Sequence, residues 1–164
     1  MLTTHDAAEL AGFFVAHAVW CVSDGETLIP LMGYLGAKGQ RSMERIEAED
    51  LEEAVARGRE ELEANAGHAA AAVFIYDGYV TLGGWRTDAL IVQVRAYATG
   101  GRIQFAIPYR HAKHEEGFAV YRPKILDFAA DEASVEAVAQ AFFAGVGEHK
   151  QGSAIWEQHL DESR

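Results

Sequence analysis

Apolar and polar residues alternate through much of the stretch between residues 69 and 128, and this alternation predicts β-strands. In the run from Ala89 to Tyr97, the residues on one face are apolar: Leu90, Val92, Val94 and Ala96. The run from Arg102 to Tyr109 repeats the pattern with Ile103, Phe105, Ile107 and Tyr109. Because successive side chains of a strand point to opposite faces, each run has one face for a core. The stretch therefore predicts one antiparallel sheet.

Turn-forming residues divide this sheet. Two apolar runs, 73–76 and 79–82, flank Asp77-Gly78, a pair that favours a type I′ turn, so we predict a hairpin that turns there. Pro108 cannot donate a backbone hydrogen bond, so that end of its strand lies at a sheet edge or already leaves the sheet. The polar segment from Arg110 to Gly117 is predicted to be a loop, and Phe118–Tyr121 to be a further strand.

Helical periodicity dominates the N-terminal part of the chain. A helix is predicted from about Asp6 to about Val19, with Asp6 as its cap and one apolar stripe: Leu10, Phe13, Phe14, His17 and Cys21. Residues 19–34 have two interpretations. They form a hairpin that turns at Asp24-Gly25, or the helix continues to Cys21 and a loop follows. Glycines at 33, 36 and 39 indicate a flexible connector, because they lack the sequence of a phosphate-binding loop.

Two more helices are predicted further along. An acidic helix from Met43 to Asn65, capped by Ser42 and closed by Gly67, carries nine acidic residues and a narrow apolar seam, and is expected on the outside of the molecule. After the sheet, Asp131 caps an amphipathic helix with apolar residues at 135, 138, 139, 142, 143 and 146.

The tail, residues 153–164, is a short docking segment with Ser153 as a helix cap. It is too short to be stable alone, and it docks either on its own sheet or on a neighbouring subunit. Trp156 would then be a dimer contact.

Together these elements predict an α+β fold with one domain over residues 1–164. It has one antiparallel sheet of five or more strands, with the main strands within 69–128, packed by the N-terminal and C-terminal amphipathic helices. The acidic helix 43–65 lies outside. A chain of 164 residues is long enough for its own core.

Charge and composition narrow the function. The formal net charge is −11, which disfavours nucleic acid and anionic membranes as partners. No apolar run approaches the roughly 20 residues of a membrane span, and the first residues do not form a secretory signal. The single cysteine, Cys21, excludes an internal disulfide and suits a reducing compartment. A soluble, cytoplasmic protein is expected.

The loop between the strands carries the best candidate for metal chemistry. His111, His114 and Glu115 could present nitrogen and oxygen donors to zinc or another divalent ion. If the two imidazoles are the first two ligands and Glu115 is only adjacent, a third ligand would come from elsewhere: His68, His159 or Asp88. With Glu115 or Glu116 as a base, such a site would be a metal-dependent hydrolase.

Two other candidate sites follow from residue chemistry. Trp20, Trp85, Arg95 and Arg122 could line a pocket near the first hairpin, where the arginines would hold a carboxylate or phosphate. His17 precedes Cys21 by one helical turn and could activate its thiol, although both lie on the apolar stripe, where cysteine is inert.

No hydrolase, metalloprotease or kinase signature is present. We therefore expect a non-catalytic binding or assembly module that forms a homodimer, has no evident cofactor and takes a small anionic ligand or a protein partner. A metal-dependent hydrolase at 111–116 and an acidic inhibitor of a basic protein remain the alternatives.

Overall fold

The computed structural model describes residues 1–164 and confirms the α+β class, with four helices and eight strands in one mostly antiparallel sheet. The helices are α1 (Thr4–Val22), α2 (Leu51–Ala64), α3 (Val135–Glu148) and α4 (Lys150–His159). The strands are β1 (Leu31–Leu35), β2 (Arg41–Arg45), β3 (Ala71–Leu82), β4 (Trp85–Ala96), β5 (Gly101–Arg110), β6 (Ala119–Tyr121), β7 (Lys124–Ala129) and β8 (Leu160–Asp161). The sheet order is β2-β1-β3-β4-β5-β6-β8; β7 pairs with β5, and only β6–β8 is parallel.

The predicted turn at Asp77-Gly78 is wrong. Strand β3 passes straight through both residues, and the hairpin turns at Gly83 and Gly84, where Leu82 pairs with Trp85. Both glycines have positive φ angles, +56° and +84°, as a two-residue type I′ connection requires. Asp77 stays within the strand because the hydroxyl of Tyr109 donates to its carboxylate. The local preference of Asp-Gly is thus overridden by a partner distant in sequence.

This correction makes a testable prediction about two glycines. Gly84→Ala should lower the free energy of unfolding by about 1–2 kcal/mol, because an L residue at positive φ is strained. Gly78→Ala is the matched variant: its Cβ would meet two side chains, Ile91 at 3.3 Å and the Tyr76 ring at 3.7 Å, and its φ angle is not positive. It should change stability by less than about 1 kcal/mol. Urea unfolding followed by circular dichroism measures the free energy of unfolding of both variants. A larger loss of stability in Gly78→Ala than in Gly84→Ala would indicate that the turn lies at residues 77–78.

The N-terminal helix is longer than predicted. Its cap is Thr3, whose backbone N–H is bonded by the Asp6 carboxylate, so Asp6 lies in the first turn. The helix continues to Val22, so the prediction of a hairpin that turns at Asp24-Gly25 is wrong. The alternative prediction, in which the helix continues to Cys21 and a loop follows, is confirmed. The glycines at 33, 36 and 39 belong to the β1–β2 hairpin rather than to a flexible connector.

The acidic helix is shorter than predicted. Residues 41–45 form the edge strand β2, and the helix starts after Asp50, whose side chain accepts the N–H of Glu53. It closes at Asn65, which adopts the left-handed conformation expected at Gly67. Strand β2 was missed because all five of its residues are exposed and show no apolar alternation.

The main core lies between the sheet and helices α1, α3 and α4. Leu10, Val15 and Val19 of α1 share it with the apolar faces of β3, β4 and β5. Three glycines permit close helix contacts. A Cβ on Gly12 of α1 would overlap the backbone of α3, and a Cβ on Gly145 of α3 would overlap the backbone of α1. A Cβ on Gly152 of α4 would overlap Ala16 of α1. A smaller core on the other face of the sheet holds Phe74 against α2.

The C-terminal helices begin elsewhere than predicted. Ser134, not Asp131, caps α3, which continues past Gly145 and Gly147. His149, not Ser153, caps α4. Trp156 is only 4% exposed and contacts the rings of Phe142 and Phe143, so the tail docks on its own chain and Trp156 is unavailable as a dimer contact. No helix has the length and apolar character to cross a lipid bilayer.

Candidate functional site

A polar cleft opens beyond the C-terminal end of α1. Asp77, Asp88 and Tyr109 lie on the sheet face that also carries the core residues Ile75 and Leu90, and Asp88 pairs directly with Tyr109. The helix ends at Val22, so it does not cover this part of the sheet. A cavity of about 600 Å³ results, which we call the tyrosine cleft. Its lining residues are Tyr79, Trp85, Arg86, Thr87, Asp88, Tyr109, Arg110, His111, His114, Glu116 and Tyr121.

A hydrogen-bonded pair fixes the floor of the cleft. The Tyr109 hydroxyl donates to both carboxylate oxygens of Asp77, at 2.7 and 2.8 Å. Burial raises the pKa of Asp77, and burial together with the Asp77 charge raises the pKa of Tyr109. The tyrosine therefore stays protonated at neutral pH and its ring is held in one orientation.

The two loop histidines have defined tautomers. His111 Nδ1 accepts the backbone N–H of Lys113, and His114 Nδ1 accepts that of Glu116, each at 3.1 Å. A neutral imidazole that accepts at Nδ1 carries its proton on Nε2. Both residues line the cleft, and each has an Nε2–H free to donate. A metal ligand would have to give up this bond at Nδ1, because either Nδ1 itself binds the metal or Nδ1 carries the proton while Nε2 binds it.

The two arginines of the cleft differ in their contacts. Arg110 holds the loop: its Nε donates to the carbonyl of Gly117 at 2.8 Å, and its guanidinium lies 3.4 Å from the Glu116 carboxylate. Arg86 has no ion pair or hydrogen bond, and its guanidinium stacks over the Tyr79 ring at 4.9 Å. Arg86 is therefore the cation available to a ligand.

The predicted ligand site does not assemble as one group. Trp85 lines the tyrosine cleft, but Trp20 lies on α1 beside His17 and His149. Arg95, at the other end of β4, is ion-paired with Glu63 of α2 at 2.6 Å. Arg122 donates to the carbonyl oxygen of Arg164, whose guanidinium stacks 4.6 Å above the Trp85 ring. Only Trp85 and Arg122 are thus linked, through Arg164.

The predicted metal-ligating residues are partly brought together. His111 and His114 share the cleft with Asp88 and Glu116, whereas Glu115 is exposed and does not line it. Of the other proposed third ligands, His68 follows α2 and His159 packs against Phe118. Nowhere in the chain do three histidine, cysteine, aspartate or glutamate side chains converge as a metal site would need.

The pair of His17 and Cys21 does not form a nucleophilic site in this structure. No hydrogen bond joins the two side chains, and His17 Nδ1 instead faces His149 Nε2 at 3.2 Å. Burial raises the pKa of the Cys21 thiol, which disfavours the reactive thiolate.

Sequence reasoning missed Asp77, Arg86 and the role of Tyr109. Asp77 carried a signal, because an aspartate inside an apolar run needs a partner if it is not a turn residue. Arg86 and Tyr109 carried no such signal, since their positions in one cleft depend on strand register.

Comparison with known proteins assigns no relative: no family model matches the chain, and no curated protein or solved structure matches it.

Proposed function

We propose that the protein is a non-catalytic binding module whose ligand is a small organic anion with an aromatic ring, held in the tyrosine cleft. The observation that carries this proposal is the pair of histidine tautomers. Both imidazoles offer Nε2–H donors, and the unpaired Arg86 adds a guanidinium to the same lining. Hydrogen-bond donors and cations together recognise carboxylates and phosphates.

The aromatic lining supports the second half of the ligand description. Four rings line the cleft: Tyr79, Trp85, Tyr109 and Tyr121. Trp85 and Tyr121 pack edge to face, with ring centroids 5.1 Å apart, so they form a fixed wall. A cleft with apolar walls and a few placed polar groups is typical of small-molecule sites. Because the whole chain has a net charge of −11 and the lining also holds the carboxylates Asp88 and Glu116, the anion would be held by these local donors rather than by the overall field.

The proposal predicts selective binding of phenyl phosphate or benzoate over the cation benzamidine. Titrations followed by ¹H–¹⁵N NMR should shift the Trp85 indole and the amides of residues 109–117. Arg86→Gln should weaken phenyl phosphate binding about tenfold or more, because a charged hydrogen bond contributes roughly 1.5–3 kcal/mol. Arg95→Gln is the matched control, since that arginine belongs to the same strand but pairs with Glu63. Equal binding of benzamidine, or an unchanged affinity in Arg86→Gln, would contradict the proposal.

The metal-dependent hydrolase remains the second proposal: His111, His114, Asp88 and Glu116 line one cleft, although no three of these side chains converge on one point. It requires both histidines to give up their backbone bonds at Nδ1, which is why we rank it second. The homodimer, the acidic inhibitor of a basic protein and the cytoplasmic location also stand as proposals. A dimer would need a surface other than Trp156. Native mass spectrometry of untagged protein tests the homodimer by subunit count, the hydrolase by bound metal and the binding module by retained ligand.

A further inference from the structure

Two other histidines meet at the junction of three helices. His17 Nδ1 of α1 and His149 Nε2, between α3 and α4, lie 3.2 Å apart. His149 is 8% exposed, and the rings of Phe13 and Trp20 pack around it. Its Nδ1 accepts the backbone N–H of Gly152 at 2.9 Å and so caps α4. We call these two residues the histidine pair.

The hydrogen bonds fix both tautomers of the histidine pair. Since His149 Nδ1 accepts from Gly152, neutral His149 carries its proton on Nε2 and donates it to His17 Nδ1. The same bonds argue against a metal between the rings, because a ligating Nε2 would have to lose that proton. The pair is therefore a chain of two bonds that is complete only when both imidazoles are neutral.

An added proton must break one of these two bonds. A proton on His149 Nδ1 removes the acceptor that caps α4 and places a positive charge at the positive end of the helix dipole. A proton on His17 Nδ1 sets two N–H groups against each other. Whichever ring takes up the proton, at least one of the two hydrogen bonds is lost as long as His149 keeps its position.

The charged groups around the pair have both signs, and none forms an ion pair with either ring. The cation Arg45 of β2 lies near His17, the acids Asp24 and Glu26 line the same cavity as His17, and Cys21 follows one turn along α1. Next to His149 in the chain, Glu148 is engaged by Arg41 at 2.6 Å, while Lys150 adds a further positive charge. No carboxylate is hydrogen-bonded to either ring. Burial lowers the pKa of both histidines, and the charge of His149 lowers that of His17 further.

Helix α4 connects the histidine pair to the tyrosine cleft. Starting from the cap at His149, it buries Trp156 in the core and leads into β8, which pairs with β6. The chain then reaches Arg164, which stacks on Trp85 in the cleft lining and accepts a hydrogen bond from Arg122. The cap and the cleft are thus at the two ends of one segment, residues 150–164, which we call the C-terminal segment.

We propose that the histidine pair is a pH-sensitive latch that holds the C-terminal segment against the tyrosine cleft at neutral pH and releases it on acidification. The effect on ligand access rests on the proposed function, whereas the release itself does not. Linkage gives the direction of the pH effect, because the open form takes up protons that the closed form excludes. The closed form is therefore favoured above about pH 6.5, and its population falls as the pH drops below that value. Each histidine that protonates on opening favours opening by up to about tenfold per pH unit.

Hydrogen exchange of the full chain tests the latch. Between pH 7.5 and 5.5, and after correction for intrinsic exchange rates, protection of residues 150–161 should fall about tenfold or more, while the amides of β3 and β4 stay protected. His149→Asn should reduce this change to less than about threefold, since asparagine caps a helix without titrating. His149→Ala lacks the cap and should show weak protection of α4 at both pH values. His68→Asn is the control, because His68 is exposed and asparagine tolerates its positive φ.

The readout at the cleft is the ¹⁹F signal of Trp85 in protein labelled with 5-fluorotryptophan. It should move with pH in the wild type and less in His149→Asn, because Arg164 leaves the ring when the segment opens. Unchanged protection of α4 at pH 5.5, or an equal loss in His149→Asn, would overturn the latch. Since no ligand is used, this failure is separate from failure of the phenyl phosphate titration, which tests the proposed function alone.

Discussion

Trp156→Ala is expected to lower the free energy of unfolding by about 3–5 kcal/mol, the range for removing a buried large aromatic side chain. Trp156 is 4% exposed and touches Phe142 and Phe143, so its loss leaves a cavity between α3 and α4. Urea denaturation followed by circular dichroism measures the change. Analytical ultracentrifugation of the same variant should give the wild-type subunit count, because the tryptophan is buried within its own chain.

Trp20→Ala is the matched comparison for Trp156. Trp20 is 43% exposed, so its removal should cost well below half as much. If Trp156→Ala lost stability only at protein concentrations at which a dimer dissociates, that result would contradict the position of Trp156 within its own chain. Similar losses in the two variants would show that the burial difference is not what decides stability here.

Gly145→Ala is expected to destabilise the protein by about 2–3 kcal/mol, although alanine is the better helix former by about 1 kcal/mol. A Cβ at this position would overlap the Glu9 carbonyl of α1. Helices α1 and α3 would have to separate, which loosens the packing along their whole contact. Thermal and urea unfolding both report the loss.

Gly147→Ala supplies the control for Gly145. It lies in the same helix two residues later, it is exposed, and a Cβ there meets nothing within 4 Å. Its helix propensity gain of up to about 1 kcal/mol should therefore appear as increased stability. Opposite signs for the two substitutions support the close α1–α3 contact, and a stabilising Gly145→Ala would be incompatible with it.

Regular alternation made β4 and β5 predictable from sequence, because their apolar faces are long and uninterrupted. The turn of the first long hairpin was not, since Asp77-Gly78 and Gly83-Gly84 both suit a turn and only the distant Tyr109 decides between them. Residues 19–22 are rich in strand-forming types, yet burial against the sheet keeps them helical. Tertiary contacts override local preference in each case.

Some features of the candidate site could likewise be predicted from the sequence, and others could not. The loop His111–Glu116 was found from its polar residues, and Trp85 from its chemistry. The sequence could not show that each loop histidine accepts a backbone N–H at Nδ1, because that depends on the loop conformation. Nor could it separate Arg86, which is free, from Arg95, which Glu63 neutralises. Residue types were predictable, whereas their pairing required three-dimensional geometry.

The contacts of α1 with the end of the chain have a consequence for synthesis on the ribosome. His17 and His149 are separated by 132 positions, and Gly12 meets α3 over a similar distance. At about 5–20 residues per second, α1 waits on the order of ten seconds for these partners. During that time its apolar stripe is covered only by strands already made. Nascent chains stalled before α3 should therefore bind chaperones that recognise exposed apolar helices, and lose that binding once α4 has emerged.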